Sequence, residues 1–475
     1  MLDDAFISFR YAKNFSQGYG LVFNPGTEPV EGYTNFLWII ILAFSYKIGI
    51  DIVLLSKVLG YIFSISTILI LLFYLNYKNN SLIQIVSALI LSTCGAFTVW
   101  GTSGMETSMF TFLLTFILLY LGRNISNLNN KKLIILGVLT SLLTLTRPEG
   151  LIVFATNLIV ILFLAYKNKK HILENTIFYI LSFSIIICLH EAFRYFYYHD
   201  FLPNTFYNKV GNAVDQYVRG LRYIKLFIEA TWLILIPIFI YTCFKIKNIA
   251  KNRLNIKNYL PLILSITAIM FIFYIIYVGG DVMPAFRFFT PLIPALSILT
   301  TLGLYKLTKY LKMKKSLVFI IFTLIICLFN LLQWKFNIKF NKHLKEDKVA
   351  EYGKEVGLWL KGNFDKNTKI ATNTAGTIPY YSNFYTIDML GLNDKHIAKK
   401  EMPNMGTGFP GHEKTDGAYI LSQNPDIIQF GSSLGSIDPV LISDFEIDNL
   451  KEFQDKYILH EYTLPSGRKL YLYIK

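Results

Sequence analysis

Long apolar runs separated by short polar segments dominate the sequence. About ten runs of about 16 to 24 residues lie between Ile52 and Trp334, and a hydrocarbon core of about 30 Å needs about 20 helical residues to cross it. The runs cover residues 52–75, 82–100, 104–121, 132–147, 150–166, 174–193, 224–244, 258–278, 288–309 and 316–334. This pattern predicts an α-helical polytopic membrane protein with a transmembrane domain at 52–335.

A shorter apolar run, from Phe36 to Gly49, precedes the first of these. It contains Lys47 and is too short to cross a bilayer as a straight helix. Trp38 and Tyr46 suit the headgroup level, so the run predicts a helix lying in the membrane interface. A short tilted span is the alternative, although it would reverse the sidedness of every later loop. We therefore predict that residues 1–51 form one outer loop region.

The composition changes after Trp334, and residues 340–475 predict a soluble α/β domain. Strands are favoured at four short apolar runs, residues 369–371, 385–388, 426–430 and 470–474. Helices are favoured near 345–364, 411–424 and 439–456. The segment from Pro465 to Arg468 favours the turn of a final hairpin.

The charge distribution gives the spans a direction. The formal net charge is +15, with 53% hydrophobic and only 16% charged residues. Every second connection is basic and contains no aspartate or glutamate: 76–81, 122–132, 167–171, 245–257 and 306–315. By the positive-inside rule these connections are cytoplasmic, so the N-terminal segment, the other connections and the C-terminal domain are predicted to lie outside. The basic excess thus reflects topology, and nucleic acid is not an expected partner.

Two further features concern the compartment and the chain start. The four cysteines, Cys94, Cys188, Cys243 and Cys327, fall within predicted spans, so no disulfide framework is expected. No signal peptide precedes the translocated residues 1–35, so we expect a further span upstream of Met1.

Polar side chains gather at the predicted outer ends of the spans. The N-terminal segment has Asp3, Asp4, Arg10, Glu31, Tyr33 and Asn35. Other span ends have Glu106, Arg147, Glu149, Arg194, Asn204, Tyr207, Lys209, Asp281 and Arg287. An ionisable group at mid-bilayer costs about 2.5 to 3.5 kcal/mol, so such groups normally face a wet cavity or each other. Clusters on one side therefore predict a shared cavity.

Each cluster also has a purely structural interpretation. A salt-bridged helix corner would explain Arg147 and Glu149, and headgroup-seeking side chains would explain Arg194 and Arg287. Stabilisation of a helix dipole would explain Glu106, and a solvated terminus would explain the acids at 3 and 4.

Acids in one loop and cations in others are what sugar transfer from a lipid phosphate requires. The phosphate would be a leaving group at the membrane surface, held by positive charge. The candidate phosphate-binding residues are Arg147, Arg194, Lys209 and Arg287. Asp3 or Asp4 would accept the proton of an acceptor hydroxyl as it attacks the anomeric carbon. Such a donor needs no nucleotide, and no Gly-rich nucleotide loop follows a predicted strand.

The N-terminal segment also shows a family resemblance. Asp3–Ala12, Gly20–Gly26 and Val30–Asn35 resemble the first outer loop of GT-C glycosyltransferases related to the mycobacterial terminal arabinofuranosyltransferases. Later motifs similar to that group are Met105–Thr107, Thr146–Gly150, Leu202–Thr205, Gly280–Asp281 with Arg287–Phe288, Asp388–Asp394 and Gly411–Lys414. The resemblance thus covers nearly the whole chain.

The resemblance implies a glycosyltransferase of the bacterial cytoplasmic membrane that acts on its outer face. It implies a polyprenyl-phosphate-sugar donor, with a pentofuranose as a candidate sugar, an envelope glycan or glycolipid acceptor, and Asp3 or Asp4 as the base. Substrate-binding candidates are Arg10, Glu31, Tyr33, Asn35, Glu106, Glu149, Asn204, Tyr207, Asp281, His412 and Glu413.

Cofactors and other function classes complete the expectations. No cofactor is expected to be required, and the usual spacing of metal ligands is absent, although a divalent cation beside the two aspartates stays open. A transporter or flippase of lipid-linked sugars and a surface-polysaccharide polymerase or ligase remain alternatives. Transporters usually show internal repeats and deep charges, whereas the charges here lie at one rim.

Overall fold

The computed structural model describes residues 1–75, 80–168, 170–209, 211, 214–250, 259–310, 315–336, 348–403 and 405–475. Two helices precede the first long span: α1 is Asp3–Ser16 and α2 is Phe36–Lys47. The two acids of α1 lie in its first turn, where they complement the positive end of the helix dipole. α2 forms where the sequence predicts an interfacial helix, and its 12 residues reach only about 18 Å, too short for a bilayer.

Helices occupy every predicted span of the membrane region. They are α3 Ile52–Phe73, α4 Ser81–Thr93, α5 Gly95–Thr98, α6 Thr107–Asn124, α7 Asn130–Thr146, α8 Gly150–Asn168, α9 Lys170–Tyr198, α10 Asn204–Lys209, α11 Val214–Ala250, α12 Leu260–Val278, α13 Ile293–Tyr310 and α14 Lys315–Phe336. Short 3₁₀ helices lie at Val99–Thr102, Ile125–Asn127 and Arg287–Leu292.

Length and composition support the membrane class directly. Within the described residues, six helices are long and apolar enough to cross a bilayer, or seven if a bent pair counts as one span. Shorter apolar helices lie at Phe36–Lys47, Gly150–Phe163 and Leu317–Gln333. The chain is therefore a multi-pass membrane protein, while the number of about ten spans stays a prediction.

The predicted continuous span at 82–100 is wrong in one respect. The chain bends by 71° between Ser81–Thr93 and Gly95–Thr102, because Cys94 adopts an extended conformation. The hydroxyls of Ser92 and Thr93 donate to the carbonyl of Leu89, and such local bonds compete with the helical ladder.

The C-terminal residues form a small α/β unit, as predicted. Its elements are α15 Val349–Asn363, β1 Lys369–Thr372, α16 Thr377–Ser382, β2 Tyr385–Asp388, α17 Lys395–Lys399, α18 Gly417–Ser422, β3 Ile427–Gln429, α19 Ile442–Asp448, α20 Lys451–Lys456, β4 Ile458–Thr463 and β5 Lys469–Ile474. The sheet order is β2-β1-β3-β5-β4. β1 is parallel to β2 and β3, whereas β5 is antiparallel to β3 and β4. The predicted strands and the final hairpin are confirmed.

Two predicted helices of this unit are longer than the real ones. The helix near 411–424 begins only at Gly417, where the Asp416 carboxylate accepts the Tyr419 N–H at 3.1 Å and caps it. The helix near 439–456 is split into α19 and α20, because Leu450 is extended. Residues 345–347 of the first predicted helix lie outside the described residues.

The helix α1 joins the membrane region to the C-terminal α/β unit, here named the sheet unit. Its residues Phe6 and Phe9 are buried and pack on Tyr380 of α16. The same apolar core continues into the membrane helices. A change in the packing of the sheet unit would therefore shift α1 and the acids at its start.

Much of the basic charge behind the predicted topology lies outside the described residues. These residues are Lys78, Lys169, Lys251, Arg253, Lys257, Lys312 and Lys314. The side chains of Lys167, Lys170, Lys245, Lys247, Lys309 and Lys315 are likewise outside the description. The remaining predicted cytoplasmic cations are Arg123, Lys131, Lys132 and Lys306. The sidedness of the chain stays a prediction.

Candidate active site at the helix ends

Asp3 and Asp4 are neighbours on α1 but have different surroundings. The Asp3 carboxylate accepts the N–H of Gly376 at 3.0 Å and the N–H of Thr377 at 2.8 Å, together with the Thr377 hydroxyl. Asp3 therefore binds the N-terminal end of α16 in the sheet unit. An added Cβ at Gly376 would overlap the Asp3 carbonyl oxygen, so this close approach requires glycine.

Burial raises the pKa of Asp3 to about 6, against the opposing effect of the hydrogen bonds from Thr377. An acid held in this way is a structural anchor. Its carboxylate already accepts hydrogen bonds from the start of α16.

Asp4 is turned by about 100° around the helix axis relative to Asp3. Its carboxylate accepts no side-chain hydrogen bond and makes no ion pair within the described part of the chain. It lies close enough to Lys209 and Arg287 to stabilise their positive charge electrostatically. Asp4 is thus the acid of the pair whose carboxylate has no hydrogen-bond partner among the described residues.

Lys209 ends the short helix α10 and faces this acid. No oxygen among the described residues accepts a hydrogen bond from its ammonium group. Burial lowers the pKa of Lys209; Asp4 and Asp281 oppose that shift, and Arg287 and Arg147 add to it. A partly buried ammonium group without a counterion partner is suited to bind an anion.

Two arginines beside Lys209 are neutralised by acids. Arg287 forms a two-pronged salt bridge to Asp281, with distances of 2.7 Å and 2.9 Å, and both side chains are buried. Arg147 contacts Glu106 at 2.9 Å and Glu149 at 2.7 Å. Of these three cations, Lys209 is the one without a salt bridge in the described structure.

The Glu106 carboxylate links this cluster to α1. Asn35 donates to Glu106 at 2.8 Å and to the hydroxyl of Ser8 at 3.0 Å. Glu106 precedes α6, but its side chain makes no capping hydrogen bond there. A continuous polar chain therefore runs from α1 through Asn35 and Glu106 to Arg147.

Other predicted site residues lie apart from this cluster and have structural partners. Arg194 donates to the buried Glu31 at 2.6 Å and to the part-exposed Glu191 at 2.5 Å. The Tyr33 hydroxyl contacts the hydroxyl of Tyr198 at 2.9 Å. Arg194, Glu31 and Tyr33 thus belong to a second polar group, and their predicted substrate contacts stay predictions.

The remaining candidates connect the loops to the sheet unit. The Asn204 amide donates to the carbonyls of residues 391, 392 and 394, and the Tyr207 hydroxyl donates to Asp200 at 3.3 Å. Arg10 is buried and donates to the carbonyls of residues 23, 379 and 384 and to the side chain of residue 24. His412 is exposed. Glu413 binds Arg219 at 3.0 Å.

Three residues near the cluster were not predicted. Tyr223 lies beside Asp281 and Arg287, and its side chain is buried. Tyr274 lies beside Glu149. Arg219 pairs with Glu413 from the first turns of α11. Tyr223 and Tyr274 fall within or at the edge of apolar runs, where an aromatic residue carries no polar signal.

A metal site does not emerge from the acids and histidines. Among the described residues, no group of three or more His, Cys, Asp or Glu side chains is arranged to hold a metal ion. The expectation that no cofactor is required stays a prediction.

Comparison with known proteins places the fold in a class. Residues 338–473 match a family described as a domain of unknown function, DUF8728. No curated protein is significantly similar to the chain. The fold is similar to that of ArnT from Cupriavidus metallidurans bound to undecaprenyl phosphate, with a TM-score of 0.53 at 12% identity, covering 82% of this chain and 81% of that one.

A second similar structure is the archaeal oligosaccharyltransferase AglB from Archaeoglobus fulgidus, in complex with an inhibitory peptide and a dolichol-phosphate. The TM-score is 0.51 at 10% identity, over 99% of this chain and 70% of that one. The chain therefore has the GT-C fold, an α-helical polytopic membrane architecture with a C-terminal α/β unit. At these identities the similarity establishes the fold alone.

Proposed function

We propose that the protein is a membrane glycosyltransferase that transfers a single sugar from a polyprenyl-phosphate donor to a cell-envelope glycan or glycolipid. The proposal rests mainly on one observation: the unpartnered carboxylate of Asp4 faces an unpartnered ammonium group, Lys209, beside the Arg287–Asp281 pair. The two similar structures, one with undecaprenyl phosphate and one with a dolichol-phosphate, support a lipid-phosphate donor.

In the proposed reaction Asp4 is the base and Lys209 is the cation that stabilises the leaving group. Asp4 accepts the proton of the acceptor hydroxyl while that oxygen forms a bond to the anomeric carbon. The bond from the anomeric carbon to the phosphate oxygen breaks, and the polyprenyl phosphate leaves with the electron pair. Lys209 stabilises the charge that develops on the leaving phosphate, with Arg287 and Arg147 as the next nearest cations. A single displacement of this kind inverts the anomeric centre.

Asp3 and the paired arginines have supporting roles in this proposal. Asp3 fixes the first turn of α1 and hence the direction in which Asp4 points. Glu106 and Asp281 hold the guanidinium groups of Arg147 and Arg287 at fixed positions. Arg194 is not required for donor binding here, because Glu31 and Glu191 occupy its guanidinium group.

The location and the sugar are also part of the proposal. The positive-inside pattern favours an outer-face site in a bacterial cytoplasmic membrane. The resemblance of the first outer loop to arabinofuranosyltransferases makes a pentofuranose one donor to test beside hexoses.

Transfer assays with purified protein test the proposal. The protein in lipid nanodiscs is supplied with a panel of polyprenyl-phosphate sugars carrying labelled hexoses or pentofuranoses, and with envelope extract as the acceptor. We expect labelled product with one sugar added per acceptor, formed at least about 100-fold more slowly by Asp4→Asn. Absence of transfer from every donor, or full transfer by Asp4→Asn, would contradict the proposal. Long products would indicate a polymerase, and donor movement across the bilayer without transfer would indicate a flippase.

A binding assay tests the lipid-phosphate site without knowledge of the sugar. Native mass spectrometry with polyprenyl phosphate alone should show binding that Lys209→Ala weakens by at least about tenfold, as expected for loss of a charge-assisted contact. The matched control is Lys366→Ala, which removes an exposed lysine of the sheet unit and should leave binding unchanged.

A further inference from the structure

The segment Met405–Glu413, here named the glycine loop, leaves the sheet unit and lies against the start of α11. It contains three glycines, Gly406, Gly408 and Gly411. At Gly406 the loop approaches the backbone of Gln216 so closely that an added Cβ would overlap it. The glycine loop thus connects the sheet unit to a membrane helix.

The Glu413 carboxylate fixes the shape of the glycine loop. One oxygen accepts the N–H groups of Gly406 at 2.8 Å and Gly408 at 2.7 Å. The other oxygen accepts Arg219 Nη1 at 3.0 Å, and both side chains are largely buried. Each Glu413 oxygen is therefore used within the protein, which leaves this residue poorly placed to bind a substrate directly.

Both residues of this ion pair are linked to the proposed phosphate site, which consists of Lys209 and the Arg287–Asp281 pair. On the loop side, Gly411 packs on Lys209: an added Cβ would lie 3.1 Å from Lys209 Cε and 3.6 Å from its Cγ. Gly411 has φ +81°, a conformation that favours glycine. On the helix side, Arg219 donates to the Gly279 carbonyl at 3.0 Å, two residues before Asp281.

We propose that Glu413 and Arg219 are positioning residues for the phosphate site, which set Lys209 and the Arg287–Asp281 pair at a fixed separation through the glycine loop and Gly279. This inference rests on the proposed function and adds to it a requirement for the sheet unit in donor binding. Glu413 acts through Lys209, without contact to the reacting atoms. Small errors in the placement of such a group reduce its effect strongly.

The position of Lys209 can be measured without any donor. The groups that face its ammonium are Asp4 from α1, Arg147 from the α7–α8 corner, and Asp281 with Arg287 from the loop before α13. The rate of acylation of Lys209 in the full-length protein, followed by mass spectrometry against pH, reports the titration of this amine. In the wild type, burial should place the midpoint below that of an ordinary lysine.

The decisive variant is Glu413→Gln, with Glu401→Gln as the control because Glu401 is an exposed acid of the same unit. With the loop released, solvent reaches Lys209, and its midpoint should rise by about half a pH unit or more. The donor KM should rise by about tenfold while kcat changes by less than about twofold. Glu401→Gln should change neither quantity.

Each failure has a separate signature. If the wild type binds no polyprenyl phosphate, the proposed function fails, and the Lys209 titration still decides whether Glu413 positions this lysine. If the wild type binds the lipid and Glu413→Gln leaves both midpoint and KM unchanged, the inference is overturned. If Glu413→Gln does not fold, Gly411→Ala decides, because it keeps both partners of the ion pair and disturbs the loop where it contacts Lys209, through its added Cβ and its positive φ. An unchanged midpoint and KM in that variant would also overturn the inference.

Discussion

The two N-terminal acids offer the sharpest test, because their isosteric variants should have different effects. Asp4→Asn removes the proposed base and keeps its size, so kcat should fall by about 10² to 10⁴, or about 3 to 5 kcal/mol in the activation barrier. Asp3→Asn keeps one oxygen for the Thr377 N–H and loses the bond from Gly376. That loss should cost about 1 to 2 kcal/mol of stability and leave kcat within about tenfold.

Kinetics and thermal unfolding of both variants, in the same nanodiscs, separate the two roles. Rates are measured with saturating donor, and unfolding is followed by intrinsic fluorescence. The reasoning is refuted if Asp3→Asn loses as much activity as Asp4→Asn while its unfolding temperature matches the wild type. That result would make Asp3 the base and would leave Asp4 without an assigned role.

Three further predictions follow from the same contacts. Lys209→Arg should move the alkaline rise of the donor KM to higher pH, since burial lowers the pKa of Lys209 and the lysine must be protonated to bind phosphate; an unchanged pH profile would argue against Lys209 as the phosphate ligand. Burial disfavours the ionised form of Asp3 and raises its pKa to about 6, so the stability of the wild type relative to Asp3→Asn should be highest below about pH 4 and should fall as the pH rises to about 6; unfolding temperatures of the two proteins between pH 4 and 7 check this, and parallel curves would contradict it. Arg194→Gln breaks a buried ion pair with Glu31 and should cost about 3 to 5 kcal/mol of stability without raising the donor KM; a raised KM at an unchanged unfolding temperature would instead support direct phosphate binding.

The membrane fold was largely readable from the sequence because lipid imposes a strict length and polarity on each helix. The bend at Cys94 could not be predicted, since it depends on a single extended residue inside an apolar run. In the sheet unit, strand positions followed from short apolar runs, whereas the helix predicted near 411–424 begins only at Gly417. Asp416 is a residue type that favours the N-cap position, and it is a local signal for the observed helix start.

The sequence indicated which polar residues are candidates for the site, but it did not indicate which of them contact one another. The pairing of Arg147 with Glu149 is local and was anticipated as an alternative. The division between Asp3 and Asp4 depends on Thr377, 374 positions away in the chain. The pairing of Arg219 with Glu413 spans 194 positions. Such partners are set by tertiary packing, about which the spacing of residues within one segment carries no information.

The bond between Asp3 and the first turn of α16 constrains how this architecture can be re-engineered. A chimera with a foreign C-terminal unit would lose the Gly376 and Thr377 donors, and the N-terminal turn would then be free to rotate. A chimera must therefore keep Asp3 and the Gly376–Thr377 segment together, because the acid and its donors come from segments that are far apart in the sequence.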